Sequence, residues 1–296
     1  MDALRLVLGT VQLGTVYGIA NTTGQPDRGT AREIIKAAWE CGIRIFDTAQ
    51  GYGQSEEVLG DALAHGGFLS QARVITKFHP SLDHTNKKEL FHALDTSLQK
   101  LGVERLEGIF FHREESLDLF DRGLGDIVSD IAASEKTAKV GISVYSPARA
   151  LEALEKDSID CVQIPTNILD HRFAQAGVFD RAHEFGKDIF IRSIYLQGLL
   201  LLDPEKLSEK MNFAKTIIQE MIKLAKKYQI SIRELAFAFV KQSFKSAYCV
   251  IGAETARQVR ENCELWESAI ISEEAIQGIR DAFAEVDERI LNPAKW

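Results

Sequence analysis

The fold is decided by residues 44–64, RIFDTAQGYGQSEEVLGDALA, in which a short apolar run precedes a longer segment with helical spacing. The run Arg44–Thr48 predicts a strand, and Ser55–Ala64 predicts an amphipathic helix. The next apolar run, Val74–Lys77, predicts a second strand. This order predicts two parallel strands joined by a helical crossover, because parallel pairing requires such a connection.

The same alternation continues along the chain. Apolar runs also predict strands at Leu6–Gly9, Gly108–His112, Val140–Val144, Cys161–Pro165, Ile189–Ser193 and Tyr248–Gly252. Segments with helical spacing lie between them, at Thr30–Glu40, Lys87–Lys100, Leu119–Glu135, Pro147–Lys156, Val178–Phe185, Ala214–Tyr228 and Ala256–Trp266. Eight such units predict an α/β protein that closes into a (β/α)8 TIM barrel. An open doubly wound sheet is the alternative, because periodicity does not show whether a sheet closes.

Two additions extend the minimal barrel. The seventh strand is followed by a long loop, Tyr195–Asn212, and by an extra helix, Ser231–Ser243. A C-terminal helix is predicted at Ser272–Val286. Loops after barrel strands commonly form lids and pockets. No linker, repeat or shift in composition divides the chain, so residues 1–296 are predicted to form a single domain.

Composition and motifs exclude several classes of protein. The chain has 35 basic and 43 acidic residues, and this net charge of −8 argues against nucleic-acid binding or a basic membrane-surface module. No apolar run approaches the roughly 18 residues that span a membrane. The four cysteines form no C-x-x-C pair, and no G-x-G-x-x-G fingerprint is present. Asp2 argues against a secretory signal peptide, so we expect a cytoplasmic protein.

Reactive side chains lie at the ends of three consecutive strands. Asp47 ends the second strand, Lys77 the third and His112 the fourth, while Tyr52 closely follows Asp47. Because the carboxyl ends of parallel barrel strands meet at one mouth, we expect one site. Asp47 is the partner that a core lysine needs, and the lysine ammonium is predicted to lower the pKa of Tyr52. These four side chains together are suited to donating a proton to a carbonyl oxygen, while a nicotinamide or flavin would supply the hydride.

These residues carry a family resemblance. Asp47, Tyr52, Lys77 and His112 on a predicted barrel, together with the opening LGTVQLG at 8–14 and YGIAN at 17–21, resemble the aldo-keto reductase superfamily. The resemblance covers nearly the whole chain. It implies NAD(P)H-dependent reduction of an aldehyde or ketone, with Tyr52 as the general acid supported by the other three residues.

The resemblance also implies where the cofactor binds. Contacts to the nicotinamide, its ribose and the pyrophosphate map to Thr10, Asp47, Ser143, Gln163, Arg192, Ser193, Leu196 and Gln197. Val144 replaces the usual asparagine at the carboxamide, and Arg192 replaces the aromatic ring that commonly stacks on the nicotinamide. A guanidinium plane can also stack, so that face would be cationic.

The implied adenosine end carries the clearest departure from the family pattern. Its contacts map to Gly252, Ala253, Glu254, Gln258, Glu261 and Asn262. The lysine and arginine with which many members bind the 2′-phosphate are here Gly252 and Gln258, and Glu254 adds negative charge. An acidic group favours a free 2′-hydroxyl over a phosphate. The family's prevailing preference predicts NADPH, with NADH as the alternative.

Two other functions compete with carbonyl reduction. A metal-dependent hydrolase is disfavoured because the first strand ends in Gly9-Thr10-Val11-Gln12, which offers no metal ligand, so no metal is predicted. A nucleotide-binding regulatory or partner-binding barrel with little turnover stays open because of Val144 and Arg192. The substrate pocket is predicted to be polar and to suit a sugar-like carbonyl, with walls at Tyr17–Asn21, Arg113–Leu117, Asn167–Arg172 and Tyr195–Asn212.

Overall fold

The computed structural model describes residues 4–296 and contains a closed barrel of eight parallel strands in sequence order. Met1–Ala3, which include Asp2, lie outside the described residues. The eighth strand pairs with the first, so the predicted barrel is confirmed and the open sheet is excluded. The strands are β1 Leu6–Gly9, β2 Ile45–Asp47, β3 Arg73–Phe78, β4 Gly108–Phe111, β5 Val140–Ser143, β6 Cys161–Pro165, β7 Asp188–Arg192 and β8 Tyr248–Gly252.

Helices connect the strands and surround the barrel. Polar caps begin several of them: Ser146 precedes Pro147 at the start of one helix, and Ser231 forms a capping box with Glu234 at another. The helices are α1 Val11–Gly14, α2 Arg28–Glu40, α3 Ser55–His65, α4 Lys87–Leu101, α5 Leu124–Ala133, α6 Pro147–Leu154, α7 Arg172–Gln175, α8 Val178–Glu184, α9 Lys215–Lys227, α10 Ile232–Ser243, α11 Ala256–Ser268, α12 Glu273–Ala282 and α13 Glu288–Leu291.

The core has two layers. A large apolar cluster lies between the strands and the surrounding helices, and a smaller cluster fills the barrel interior, formed by Val7, Ile45, Ile75, Phe110, Cys161, Phe190 and Val250. The Phe110 ring occupies the space beside Gly141, where an added Cβ would lie 2.6 Å from the ring. Glycine is therefore required at 141, and the filled interior confines chemistry to the mouth of the barrel.

Two predicted helices differ from the structure by more than two residues at an end. The segment predicted as one helix, Leu119–Glu135, is divided into a 3-10 helix at Glu114–Arg122 and α5. Gly123 separates them with φ +103°, a left-handed conformation that ends a helix and that glycine adopts without strain. The helix predicted at 272–286 is shorter, because α12 ends at Ala282.

The connection after β7 contains short helices rather than an open loop. Three 3-10 segments, Leu196–Leu201, Pro204–Lys206 and Glu209–Ala214, precede α9 and the predicted extra helix α10. At the other end of the chain, the Trp296 indole donates to the Arg289 carbonyl at 2.7 Å, so the tail folds back onto α13. Within residues 4–296, the longest helices are too short and too polar to cross a membrane.

Candidate active site

A buried ion pair lies at the mouth of the barrel, where β2 and β3 end side by side. Lys77 Nζ lies 2.6 and 2.7 Å from the two carboxylate oxygens of Asp47 and donates to the Thr48 carbonyl at 2.9 Å. The Lys77 side chain is 1% exposed and that of Asp47 is 6% exposed. Burial lowers the pKa of Lys77, and the Asp47 carboxylate opposes that shift. The two predicted partners therefore meet as expected.

Neighbouring polar groups hold Asp47 in place. Gln163, from β6 across the barrel, donates its Nε2 hydrogen to Asp47 Oδ2 at 2.9 Å. On the other side, the Ser55 hydroxyl lies 2.9 Å from both the Thr10 and Thr48 hydroxyls. This buried network ties β1, β2 and α3 together at the point where Asp47 leaves its strand.

Tyr52 lies against this pair, but its acidity differs from the prediction. Lys77 Nζ is 5.3 Å from the centre of the Tyr52 ring. Burial raises the pKa of Tyr52 above its usual value, and the Asp47 charge raises it further. The prediction of a lowered pKa was wrong, because burial outweighs the effect of the Lys77 charge, which Asp47 neutralises. Tyr52 is consequently a protonated phenol across the physiological pH range.

His112, directly after β4, completes the group. Its ring meets the Tyr52 ring edge to face, with centroids 5.5 Å apart. Burial, followed by the charges of Lys77 and Arg192, lowers the pKa of His112 to about 3. The ring is therefore neutral, and its buried Nδ1 has no hydrogen-bond partner among the described residues. A neutral imidazole carries one N–H donor that can orient a carbonyl oxygen.

The lowered pKa of His112 makes stability depend on pH. A histidine whose folded pKa lies below its unfolded value of 6.5 stabilises the protein above that value, and the contribution is lost as the pH falls towards 3. When the pH is lowered from about 7 to about 5, we expect the free energy of unfolding to fall by about 1 kcal/mol less in His112→Asn than in the wild type. Urea denaturation at both pH values measures this difference. Parallel losses in the two proteins would contradict it.

A groove extends from this group across the barrel mouth. The cavity has a volume of about 360 Å³ and runs from Asp47 and Tyr52 at one end to Asn262 at the other. All the predicted cofactor contacts line it except Ser143 and Leu196, which are buried beside it. Pockets for small organic ligands have this size.

A strained turn closes over the middle of the groove. The Gln197 carbonyl accepts the Ile19 amide hydrogen at 3.0 Å, which links the loop after β7 to the loop after β1. Ser193, Leu196 and Gln197 all have positive φ, at 66°, 47° and 54°. Such strain in residues other than glycine clusters at ligand clamps. The two loops therefore form a short strap over the groove.

The two positions at which many family members bind a 2′-phosphate, here Gly252 and Gln258, present no cation to the groove. A Cβ atom added to Gly252 would lie 2.3 Å from the side-chain nitrogen Nε2 of Gln12. The Gln12 side chain therefore fills the space that a longer residue at position 252 would occupy. Gln12 Oε1 is buried and has no hydrogen-bond partner among the described residues. The Gln258 Oε1 accepts the Glu254 amide hydrogen at 2.6 Å, so Gln258 points at the backbone.

Arg233 is a groove residue that the sequence patterns did not indicate. From the start of α10 it donates to Asn262 Oδ1 at 2.8 Å and pairs with Glu261 at 2.5 Å. It therefore fixes the two side chains predicted to bind the adenine. No local motif marks Arg233, because its role depends on the packing of α10 against α11.

Two predicted pocket walls lie elsewhere. Asn167–Arg172 and Arg113–Leu117 do not line the groove. Asp170 is fully buried and pairs with Arg172 at 2.8 Å, so its charge braces the loop instead of facing a ligand. These two predicted walls are therefore not part of this groove, and the Asp170 charge is used within the fold.

The arrangement fits a dinucleotide. The groove joins a proton-donating group at one end to buried polar side chains at the other, and Gln12 Oε1 and Arg233 Nε are both buried without partners among the described residues. Within residues 4–296, no three histidine, cysteine or carboxylate side chains converge on a point where a metal ion would sit.

Comparison with known proteins decides the family. The aldo/keto reductase family matches residues 5–283 of this chain. The chain belongs to this family. Aldo/keto reductases are NAD(P)H-dependent oxidoreductases.

Individual relatives of the reductase are distant but cover most of its length. The NADH-specific methylglyoxal reductase of Escherichia coli K12 is 24% identical over 87% of this chain and 88% of that protein. The L-glyceraldehyde 3-phosphate reductase of Escherichia coli O157:H7 is 23% identical over 88% of this chain and 84% of that protein. The structure of an aldo/keto reductase from Klebsiella pneumoniae, in complex with NADP and acetate, superimposes with a TM-score of 0.73 at 16% identity, over 96% and 92% of the two chains.

Proposed function

We propose that this reductase converts a small polar aldehyde or ketone to an alcohol, with Tyr52 as the proton donor. The observation that carries the proposal is the buried contact of Lys77 with Asp47 at 2.6 Å, directly beside the Tyr52 ring and His112. An ion pair hidden from water and adjacent to a phenol is costly to build without a chemical role.

Each residue has a distinct part in the proposed reaction. Groove residues such as Thr10 and Gln163 would hold a nicotinamide cofactor, which would supply hydride for the carbonyl carbon. The neutral His112 ring donates a hydrogen bond that orients the carbonyl oxygen, and Tyr52 gives that oxygen its phenolic proton as negative charge develops. Lys77 stabilises the phenolate that remains, while Asp47 keeps Lys77 charged and in position.

A direct assay tests the proposed activity. The purified protein is mixed with NADPH or NADH and a panel of short polar aldehydes and ketones, and the loss of reduced nicotinamide absorbance is followed. We expect turnover with at least one carbonyl that stops when the carbonyl is omitted. Tight nucleotide binding without turnover on any substrate would instead favour the regulatory or partner-binding function.

For the cofactor, we propose that NADH binds at least as well as NADPH. NADPH is the cofactor most used in the family, but among the described residues each arginine at the predicted adenosine end already faces a carboxylate. Arg233 is paired with Glu261, Arg257 with the same carboxylate at 3.4 Å, and Arg260 with Glu40 at 3.6 Å. Glu254 lines the groove and belongs to no ion pair among the described residues. Its charge disfavours a phosphate nearby.

A single substitution tests this preference. Glu254→Lys is expected to improve the affinity for NADPH relative to NADH by about tenfold, since one charge-assisted hydrogen bond is worth about 1.5–3 kcal/mol. Quenching of tryptophan fluorescence gives both dissociation constants. Glu264→Lys is the matched control, because Glu264 is exposed on α11, the helix that follows Glu254, and its replacement makes the same change in net charge. An equal effect of both substitutions would contradict a specific role for Glu254.

A further inference from the structure

The mouth of the barrel carries a positive charge that no protein group neutralises. The Lys77 charge is balanced by Asp47, but Arg192 forms no ion pair with any described residue. Its Nη2 is buried without a hydrogen-bond partner, and its Nη1 has only a 3.5 Å contact with the Ser193 hydroxyl. A charged donor that is left unused below the surface is costly, so an external acceptor is the natural explanation.

The Arg192 guanidinium is held in place without being neutralised. It ends β7, and its Cζ lies 4.4 Å from the centre of the Tyr145 ring, a cation–π contact. The Tyr145 amide in turn donates to Glu114 Oε2 at 2.6 Å, and the Ser146 amide donates to the same oxygen, so this carboxylate is occupied by backbone N–H groups. Stacking thus positions the guanidinium while leaving its N–H edge available.

The same charge acts on the reacting groups. Burial dominates the pKa shifts of Tyr17, Tyr52, Lys77 and His112, and the positive charge of Arg192 lowers the pKa of each of the four. Arg192 and Tyr52 also line the same groove. An anion bound at Arg192 is therefore close to the proposed proton donor.

We propose that Arg192 forms an anion subsite, and that the preferred substrate is a small carbonyl compound bearing a terminal carboxylate or phosphate. The subsite rests on the proposed reductase function. With a net charge of −8, the chain as a whole repels anions, so the attraction is local to the Arg192 side chain. The planar guanidinium suits either oxyanion, because both accept two parallel hydrogen bonds.

Matched substrates test the subsite. Glyceraldehyde 3-phosphate is compared with glyceraldehyde, and 4-oxobutanoate with butanal, so that each pair differs only in the anionic group. We expect the ratio of kcat/KM for the anionic to the neutral member to fall roughly tenfold or more in Arg192→Gln. Arg192→Lys retains the positive charge but lacks the planar guanidinium, so its ratio should lie between those of the wild type and Arg192→Gln. The pair that responds more strongly distinguishes phosphate from carboxylate.

A control arginine at the other end of the barrel also lies over a tyrosine ring, but it donates to the Ser246 carbonyl at 2.6 Å. Arg5, just before β1, lies 5.0 Å from the Tyr248 ring centre. We expect Arg5→Gln to leave the ratio unchanged. An unchanged ratio in Arg192→Gln would overturn the proposal. Equal losses for both members of a pair, accompanied by a changed NADPH dissociation constant, would overturn it as well and assign Arg192 to the cofactor.

A binding measurement separates the subsite from the reductase function. Inorganic phosphate and butyrate cannot be reduced, so calorimetric titration of either into the wild type and Arg192→Gln reports anion binding alone. Of the two anions, we expect Arg192→Gln to bind the one that the wild type prefers at least about tenfold more weakly than the wild type does. If the wild type reduces no carbonyl but still binds the anion through Arg192, the proposed reductase function and the substrate class fail, while the anion subsite stands. If it reduces neutral aldehydes but binds neither anion, the subsite is wrong.

Discussion

Replacing Tyr52 with phenylalanine is expected to lower kcat for carbonyl reduction by about 10²–10⁴-fold, the range that positioned acid catalysis contributes. The substitution removes one hydroxyl and keeps the ring that packs edge to face against His112. Nucleotide binding should stay within about threefold of the wild type, because Tyr52 lies at only one end of the groove. Steady-state kinetics and fluorescence titration measure the two effects separately.

The control for this variant is Tyr248→Phe. Tyr248 begins β8 at the opposite end of the barrel, where its ring stacks on Phe190 with centroids 4.8 Å apart. The same loss of a phenolic hydroxyl there should leave kcat unchanged. Turnover of Tyr52→Phe within about tenfold of the wild type would remove Tyr52 from the role of acid.

Replacing Lys77 with methionine is expected to abolish turnover and to destabilise the protein by about 3–5 kcal/mol, since it leaves the Asp47 carboxylate buried and unpaired. Among the described residues, Gln163 Nε2 alone would still donate to that carboxylate. The free energy of unfolding in urea measures the loss. In the double variant Lys77→Met/Asp47→Leu, much of the stability should return while activity stays absent, because well-packed apolar residues replace buried ion pairs at little cost.

A surface pair of the same length provides the comparison. Lys87 Nζ also lies 2.6 Å from a carboxylate oxygen, that of Asp130, but the two side chains are 54% and 47% exposed. We expect Lys87→Met to cost less than about 1 kcal/mol, because water screens exposed pairs. Equal losses for Lys77→Met and Lys87→Met would show that burial of the Lys77–Asp47 pair has no energetic consequence.

Local sequence patterns predict most of the barrel, because strand and helix periodicity are local properties. β1, β6 and β8 have the predicted bounds, and the other strands differ by a residue at one end or both. The break at Gly123 was missed even though an isolated glycine is a stop signal, because apolar spacing continues on both sides of it. Closure of the barrel pairs β8 with β1, which are far apart in the sequence. Periodicity is a local property and carries no information about such a long-range contact.

The parts of the candidate site that lie at the ends of neighbouring strands were predictable from the sequence. The parts that depend on packing between distant elements were not. Asp47 and Lys77 meet because β2 and β3 are neighbours in parallel register. The Gln12 amide lies beside Gly252 only because the barrel closes, with Gly9 opposite Gly252. The raised pKa of Tyr52 was not predicted either, because burial outweighs the effect of Lys77, whose charge is neutralised by Asp47.

Transfer of an isotopic label tests the central claim, carbonyl reduction at this site, most directly. The protein is incubated with an aldehyde that it consumes and with reduced cofactor deuterated on the transferred position of the nicotinamide ring, and the alcohol is examined by NMR. We predict one deuterium on the former carbonyl carbon with the wild type, and a strongly reduced rate of its appearance with Tyr52→Phe. Alcohol without deuterium, or equal rates in the two proteins, would contradict the account.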